Sequence, residues 1–167
     1  NRVLVKNEAQ LKDPRIAREL ACLTKNIFYE AGAEPFEGKV AVANVTINRV
    51  QDTRYPKTIC GVVQEKTVVN RKVVCQFSWV CKRPFTMSTV NDKYKEASRV
   101  AKLVLLKGYH IPRLDNSFNF HATSVSPNWR KSQVAKIGNH VFYSDRNKDK
   151  TRRDAMLFYM LTFITPP

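Results

Sequence analysis

The chain has 167 residues, of which 43% are hydrophobic and 26% are charged. This composition excludes an intrinsically disordered chain, and the length predicts one globular domain over residues 1–167 with an irregular arm at 1–12. The formal net charge of +15 predicts an anionic partner, for which nucleic acid, an anionic membrane surface and an anionic cell-wall polymer all qualify. No stretch reaches the roughly 20 apolar residues that cross a bilayer, so we do not expect a membrane-spanning protein.

Four helices are predicted from apolar periodicity and from the residues that start and stop helices. The first covers 13–31, because an acidic N-cap and a proline stand at its start and a glycine follows its end. The second, at 39–54, follows a turn at 34–38. A third covers 91–108 with its lysines on the outside, and a closing helix is predicted at 149–163.

Short segments rich in β-branched and aromatic residues predict a small β region. Residues 66–74 are predicted to form a hairpin, 118–122 a strand, and 134–143 a further strand pattern that ends at Tyr143. No internal repeat or linker separates these segments from the helices. The predicted fold class is therefore α+β, a mainly helical single domain with a small β region.

One glutamate continues the apolar face of the first helix. That face recurs at spacings of four, three and four, and the next step of three lands on Glu30. Burial, the negative end of the helix and a second acid, Glu34, would each raise the pKa of the Glu30 carboxyl. A carboxylic acid held protonated near neutral pH is what acid-catalysed cleavage of a glycosidic bond requires. A glutamate that reaches solvent at the helix end is the alternative interpretation. The apolar face consists of Ile16, Leu20, Leu23 and Ile27.

Two other glutamates have cations at helical spacing. Glu19 follows Arg15 by one turn, and Glu96 has Lys93 and Arg99 three positions away on either side. Both glutamates are therefore predicted to form solvated ion pairs on the surface.

A second catalytic carboxylate, which glycoside hydrolases usually contain, is not evident from the sequence. None of the four candidates continues a buried face, and Glu37, at a helix start, is interpreted as structural. An enzyme with one acid can instead take the second proton from a hydroxyl of the substrate itself, which gives a cyclised sugar. The candidates are Glu34, Glu37, Asp52 and Glu65.

Four cysteines leave the redox state open. Cys22 lies inside the first helix pattern and is interpreted as a small buried residue, while one disulfide is expected among Cys60, Cys75 and Cys81 if the protein works outside the cytoplasm. A thiol nucleophile paired with a histidine, His121 or His140, is the alternative use of these cysteines.

Two loops combine aromatic rings with polar groups, as a carbohydrate site requires. Both tryptophans of the chain lie in these loops, and anchoring of the loops is the alternative role for them. No recognition helix, zinc finger or ribonucleoprotein motif occurs, so specific nucleic-acid binding is not expected. The residues are Gln76, Ser78 and Trp79, then Phe120, His121, Ser126, Asn128 and Trp129, with Tyr143 at a strand end.

Three blocks of sequence occur in order between residues 20 and 143. The blocks are FYEAGAEPFEGKVAVANVTINRV at 28–50, YPKTICGVV at 55–63 followed by QFSW at 76–79, and FHA at 120–122 followed by PNW at 127–129 and IGNHVFY at 137–143. Together they resemble the spore-cortex-lytic cell-wall hydrolase family. One departure is Gly32-Ala33, which stands where the family commonly has Arg-Gly.

The resemblance implies a lysozyme-like fold and cleavage of peptidoglycan between N-acetylmuramic acid and N-acetylglucosamine. It implies that Glu30 is the catalytic acid of a lytic transglycosylase that forms a 1,6-anhydromuramic product, without a metal or organic cofactor. A hydrolytic muramidase and a cysteine-dependent amidase are the alternatives. The residues expected to line the glycan groove are Gln76, Phe77, Ser78, Phe120, His121 and Tyr143, to which the aromatic loops add Trp79 and Trp129.

The expected partners are peptidoglycan glycan strands and anionic cell-wall polymer, bound by a monomer. The expected place of action is the bacterial cell wall, in the periplasm or outside the cell. A bacteriophage lysin released at lysis and a bacterial wall-remodelling enzyme both satisfy these expectations.

Overall fold

A computed structural model describes residues 11–82 and 91–145. The closing helix predicted at 149–163 and most of the N-terminal arm lie outside these residues. The elements confirm the predicted α+β class, the presence of the first three predicted helices and the hairpin. The second helix, however, begins at residue 36, inside the turn predicted at 34–38, and ends at residue 51. In chain order the elements are α1 (Pro14–Ala31), α2 (Phe36–Gln51), α3 (Ile59–Val63), β1 (Lys66–Val69), β2 (Lys72–Cys75), α4 (Ser78–Cys81), α5 (Asp92–Lys107), a 3-10 turn (Pro112–Leu114), β3 (Ser117–Ala122), β4 (Ser132–Ile137) and β5 (His140–Ser144).

Helix α2 is the centre of the core. Every residue from Gly38 to Val50 is buried, because α1, α5 and the sheet of β3 to β5 pack around it. Its buried polar side chains satisfy loop backbone: Asn44 accepts from the N–H of Ile111 at 2.8 Å, and Asn48 donates to the carbonyl of Leu114 at 2.7 Å. These bonds fix the chain between α5 and β3 and so set the position of the sheet.

The β region consists of two antiparallel sheets. One is the hairpin of β1 and β2, whose turn residues Asn70 and Arg71 have φ values of 50° and 65°, as a two-residue hairpin turn requires. The other has the strand order β3-β5-β4. Phe118 and Phe142 are fully buried on the face of this sheet that packs against the helices.

Two disulfides hold the short elements α3 and α4 in place. Cys75 is bonded to Cys81, which links β2 to α4 and agrees with the expected bridge. Cys22 is bonded to Cys60, so the prediction that Cys22 is merely a small buried residue was wrong. The reason is tertiary: α3 packs on α1 and brings the two Cα atoms to 5.2 Å, which helical periodicity cannot reveal.

The ion pair predicted for Glu19 was also wrong. Its side chain is 5% exposed and accepts hydrogen bonds from the N–H groups of Ile59 and Cys60 at 2.5 and 3.1 Å. It satisfies the start of α3, whereas Arg15 pairs with Asp13 at 3.0 Å. The other predicted pair is confirmed: Arg99 lies 2.7 Å from Glu96 on the surface of α5. Within 11–82 and 91–145, no helix has both the length and the apolar character needed to cross a membrane.

Candidate active site

Glu30 lies at the C-terminal end of helix α1. Asp13 caps the helix start by accepting from the N–H of Arg15 at 2.9 Å, and Pro14 occupies the first turn. The apolar stripe found in the sequence is buried along its whole length, and Glu30 continues it at a half-buried position, as the periodicity predicted. The stripe consists of Ile16, Leu20, Leu23 and Ile27.

The chain turns sharply just after this glutamate. Helix α1 ends at Ala31, and the N–H of Glu34 donates to the Ala31 carbonyl at 3.0 Å. Gly32 keeps a right-handed conformation, yet any Cβ there would collide with the carbonyl oxygen of Phe28. Glycine is therefore required at this position by close approach to the backbone and not by a left-handed φ.

An open groove of about 410 Å³ contains the Glu30 side chain. Residues 28–34 contribute from α1 and the turn after it, Ala122, Asn139 and His140 contribute from the sheet, and Lys93 contributes from α5. Thus three separate parts of the fold meet around one carboxyl group. A concave site with few, convergent polar groups is the usual form of a ligand site.

Burial raises the pKa of the Glu30 carboxyl, and the positive charges of Arg49 and Lys82 oppose that rise. The raised direction agrees with the prediction from the sequence. The sequence correctly showed no cation at helical spacing, but the fold supplies two from elsewhere, one on α2 and one just after α4. Among the described residues, no side chain or backbone group donates a hydrogen bond to the Glu30 carboxyl.

Arg49 is a buried cation whose charge acts on the Glu30 carboxyl. It is 3% exposed, donates from Nε to the Phe118 carbonyl at 2.8 Å, and lies over the rings of Tyr55 and Phe77 at 5.4 and 5.3 Å. Glu30 is one of the negative groups that act on its charge. A buried, hydrogen-bonded guanidinium thus lowers the pKa of the Glu30 carboxyl without being exposed to solvent.

The second acid of the groove has a different role. Glu34 accepts from the N–H of Asn139 at 3.1 Å and lies 3.4 Å from Nδ1 of His140, with its side chain 9% exposed. Gly138 in the same turn has a φ of +56°, and a Cβ there would collide with the Glu34 carboxylate. Glu34 therefore joins the chain just after α1 to the turn between β4 and β5. The expectation that it raises the pKa of Glu30 was wrong, because burial is the cause of that rise and Glu34 is not among the charges that act on Glu30.

His140 stands beside this carboxylate with a lowered pKa. Burial is the main cause, the negative charge of Glu34 opposes it, and His121 acts in the same direction as burial. His140 also packs edge-on against Phe120 at 5.1 Å. The imidazole is thus favoured in its neutral form within the groove.

Trp79 is not among the residues that line the groove but contacts one of them. Its indole stacks on Tyr29 at 4.5 Å with an interplanar angle of 19°, and its Nε1 donates to Asn26 at 2.9 Å. Asn26 is itself fully buried and also donates to Thr46 at 3.3 Å. Sequence reasoning missed Asn26 and Tyr29, although a buried asparagine one turn before Glu30 is a spacing that the sequence contains.

The predicted groove residues fall into three groups. Phe77 is 4% exposed and packs in the core under Phe120, while its neighbours Gln76 and Ser78 are exposed. Trp79 stacks on Tyr29, as described above. None of the four residues of the QFSW segment lines the groove, and Phe77 is turned inward, where it supports Phe120.

The remaining predicted residues form an aromatic cluster on the sheet. His121 Nε2 and the Tyr143 hydroxyl are 2.7 Å apart, and Trp129 lies edge-on to both rings at 5.4 and 5.3 Å. Phe120 and His121 are adjacent in β3, so they point to opposite faces of the sheet. The cluster is thus on the other face from Phe120, and its three members are not among the residues that line the groove.

The cysteines, the possible metal ligands and Glu37 remain to be placed. All four cysteines of the chain are in disulfides. Over 11–82 and 91–145, no group of three or more His, Cys, Asp or Glu side chains is arranged to hold a metal ion. Glu37, interpreted as structural, is exposed and pairs with Arg113 at 3.1 Å.

Comparison with solved structures defines the class of fold. The catalytic domain of the Bacillus cereus SleB protein matches with a TM-score of 0.56 and 22% identity, covering 83% of this chain and 99% of that domain. The catalytic domain of the germination-specific lytic transglycosylase SleB from Bacillus anthracis matches with a TM-score of 0.60 and 24% identity, covering 79% and 98%. The fold is that of these catalytic domains, which confirms the lysozyme-like, mainly helical architecture.

Sequence comparison adds the family. The spore cortex-lytic enzyme of Bacillus subtilis (strain 168) is 29% identical over 131 residues, which are 74% of this chain and 37% of that protein. The enzyme of the same description from Oceanobacillus iheyensis is 28% identical over 126 residues, 74% of this chain and 41% of that protein. The chain thus spans less than half the length of these curated relatives. Residues 33–143 match the family model described as cell wall hydrolase, and the chain belongs to that family.

Proposed function

We propose that this chain cleaves the glycan strands of peptidoglycan between N-acetylmuramic acid and N-acetylglucosamine, as a lytic transglycosylase that leaves a 1,6-anhydromuramic end. The observation that carries the proposal is the carboxyl group of Glu30, which is raised in pKa by burial and lies in an open groove. Membership of the cell wall hydrolase family and the names of the relatives support the same substrate class.

Glu30 acts first as an acid. Its raised pKa makes the carboxyl hold its proton more tightly than an ordinary glutamate does, and that proton goes to the oxygen that leaves as the glycosidic bond breaks. The sugar left behind has oxocarbenium-ion character, so positive charge develops next to the newly formed Glu30 carboxylate. The carboxylate stabilises this charge electrostatically.

Glu30 then acts as a base. As a carboxylate it removes the proton from the C6 hydroxyl of the muramic acid, whose oxygen closes on C1 to form the anhydro ring. One residue thus returns to its starting protonation state without an added water molecule. Because Glu34 is already bonded to the turn at Asn139, the groove contains one acid available for this cycle among the described residues. That arrangement favours the transglycosylase over a hydrolytic muramidase.

The sugar-binding roles follow from the positions of the rings. Trp79 and Tyr29 stack beside Glu30 and offer an aromatic face to a sugar ring, and the exposed Gln76 and Ser78 offer polar groups nearby. We assign His121, Trp129 and Tyr143 to a more distant part of the glycan strand. Phe77 and Phe120 have a supporting role: their rings pack together and hold the QFSW segment against β3.

The disulfides, the net charge and the relatives bear on the alternative reaction and on the place of action. A cysteine-dependent amidase would need a thiol, and every cysteine is in a disulfide. The charge of +15 favours encounter with anionic wall polymer in a salt-dependent way. The relatives reported above are bacterial proteins, which supports action at the bacterial wall and gives the phage-lysin prediction no support.

Digestion of purified sacculi, followed by mass spectrometry of the released muropeptides, tests the proposal. Anhydro ends are expected; reducing muramic-acid ends would establish the muramidase instead. Glu30→Gln should keep the fold and lose about 10²- to 10⁴-fold of turnover. Glu37→Gln is the matched control, because Glu37 is an exposed glutamate of a surface ion pair. This variant should cleave sacculi as the wild type does. Normal cleavage by Glu30→Gln would refute the assignment, and salt-sensitive binding without any cleavage would indicate a binding module.

A further inference from the structure

The hairpin of β1 and β2 exposes an unusual amount of apolar surface. Val68 is 72% exposed, Val69 52%, Val73 61% and Val74 46%. These four account for half of the large hydrophobic side chains exposed in the described part of the chain, and none of the others lies in the hairpin. Such a concentration in ten residues marks an interaction surface and not the usual scatter of surface apolar groups.

The register of the hairpin places valines on both of its faces. Val68 lies opposite Val73, whereas Val74 lies opposite Thr67 and Val69 lies opposite Lys72, so the two pairs of positions alternate between faces. Neither strand has a buried face between residues 66 and 74. Apart from the contact of β2 with α4 at the base, the two strands therefore project as an apolar finger whose residues 66–74 are exposed on both faces.

The hairpin is held rigidly at its base. The Cys75–Cys81 disulfide ties the end of β2 to α4, and the N–H of Gln76 donates to the carbonyl of Glu65 at 2.9 Å. The two-residue turn at 70–71 closes the other end. A surface that is already ordered loses little conformational entropy when it binds.

Positive charge accompanies the valines. Lys66, Arg71 and Lys72 lie within the hairpin, and no acidic residue occurs in the sequence between Glu65 and Asp92. Cations that flank an apolar segment are the combination that an anionic lipid bilayer binds, because acyl chains take the apolar groups and phosphates take the cations.

We propose that this valine hairpin docks the protein on the surface of an anionic phospholipid bilayer. The valines enter the boundary between headgroups and acyl chains, and the three cations contact lipid phosphates. A hydrated wall polymer or a nucleic acid would satisfy the cations but leave the valines in water. A second copy of the chain would cover the valines but would bring like charges together.

Vesicle co-sedimentation of the full chain tests the proposal. The wild-type protein should bind vesicles of equimolar phosphatidylglycerol and phosphatidylcholine, bind pure phosphatidylcholine much less, and lose affinity as salt is raised. Replacing the four valines by threonine preserves shape and strand propensity. The partition coefficient of this variant should fall at least about tenfold, and that of Arg71→Gln/Lys72→Gln should become less dependent on salt.

Val125→Thr is the matched control, because Val125 is 50% exposed but lies outside the hairpin, and its binding should equal the wild type. If the fourfold variant does not fold, Val68→Thr/Val73→Thr removes one face and should still weaken binding severalfold. Absence of wild-type binding to anionic vesicles, or equal binding by the valine variants, overturns the proposal. A valine-dependent dimer in sedimentation equilibrium, or valine-dependent binding to purified anionic wall polymer in place of vesicles, also overturns it.

Discussion

The two disulfides should have separable roles, one in stability and one in activity. The Cys22–Cys60 bond closes a long stretch of chain with a sequence separation of 38, whereas the Cys75–Cys81 bond closes a stretch of 6. Replacing each pair by serine therefore removes two very different constraints on the unfolded chain. The short bond, however, holds α4, which carries Trp79 against Tyr29, the groove residue that precedes Glu30.

The size of each effect follows from the length of chain that is closed. In the chain-entropy description, loss of the Cys22–Cys60 bond lowers the free energy of unfolding by about 4 kcal/mol, and loss of the Cys75–Cys81 bond lowers it by about 2 kcal/mol. For a domain of this size, 1 kcal/mol corresponds to about 2–4 °C in melting temperature. We predict a decrease of about 8–16 °C for Cys22→Ser/Cys60→Ser and about 4–8 °C for Cys75→Ser/Cys81→Ser.

Activity should follow the opposite order. At a temperature where all variants are folded, release of muropeptides by Cys22→Ser/Cys60→Ser should be near that of the wild type. Cys75→Ser/Cys81→Ser should lose about tenfold, because a misplaced group at a reacting centre is costly even when the fold survives. Thermal unfolding by circular dichroism and muropeptide release measure the two quantities. Equal stability losses would refute the entropic reasoning, and full activity of the second variant would refute the role of α4.

Three further results are expected from single substitutions. Lys82→Gln removes a charge that lowers the pKa of Glu30, so the alkaline limb of activity should move to higher pH, while Lys102→Gln on the exposed side of α5 should leave the pH profile unchanged. Glu19→Ala leaves two backbone N–H groups at the start of α3 without their acceptor and should cost about 2–5 kcal/mol in urea unfolding, with Glu19→Gln costing roughly half; equal stability of all three proteins would contradict the capping role. The pKa of Glu30 is raised in the folded state, so the folded protein binds this proton more tightly and loses stability as pH rises above the ordinary glutamate pKa. Glu30→Gln should therefore be more stable than the wild type at pH 7 in urea unfolding. The difference should vanish towards about pH 4.

The sequence was sufficient where the determining interactions are local. The cap at Asp13 and the apolar stripe placed α1 correctly from Pro14 to Ala31, and the same periodicity placed Glu30 on its buried side. The hairpin at 66–75 followed equally from β-branched residues around a turn. These features depend on neighbours within one or two turns of the chain, which a sequence displays directly.

It was insufficient where the partner is distant in the chain. The acceptor role of Glu19 depends on N–H groups 40 and 41 positions away, and Cys22 meets Cys60 only because α3 packs on α1. Local spacing offered Arg15 as a partner for Glu19, and the fold overrode that preference.

The site shows the same division. Glu30 was found from its own helix, but the charges that moderate it, Arg49 and Lys82, come from other elements. Strand alternation explains why Phe120 and His121, though adjacent in sequence and both expected in the groove, lie on opposite faces of the sheet. Phe77 is turned into the core for a tertiary reason, since its ring packs against Phe120 and under Arg49.

The Glu34 carboxylate joins the chain after α1 to the turn at Gly138 and Asn139. Because of this bond, the loop at 123–131 can change independently of the groove. The β4–β5 ribbon is attached directly to the helix that carries the acid, so the long connection at 123–131 does not set the spacing between them. That connection includes Trp129 and can lengthen, shorten or alter its composition without disturbing the end of α1 that carries Glu30. On the proposed function, foreign loops grafted between residues 123 and 131 should therefore leave the Glu30 end of the groove intact, which offers a practical route to redirected lytic enzymes.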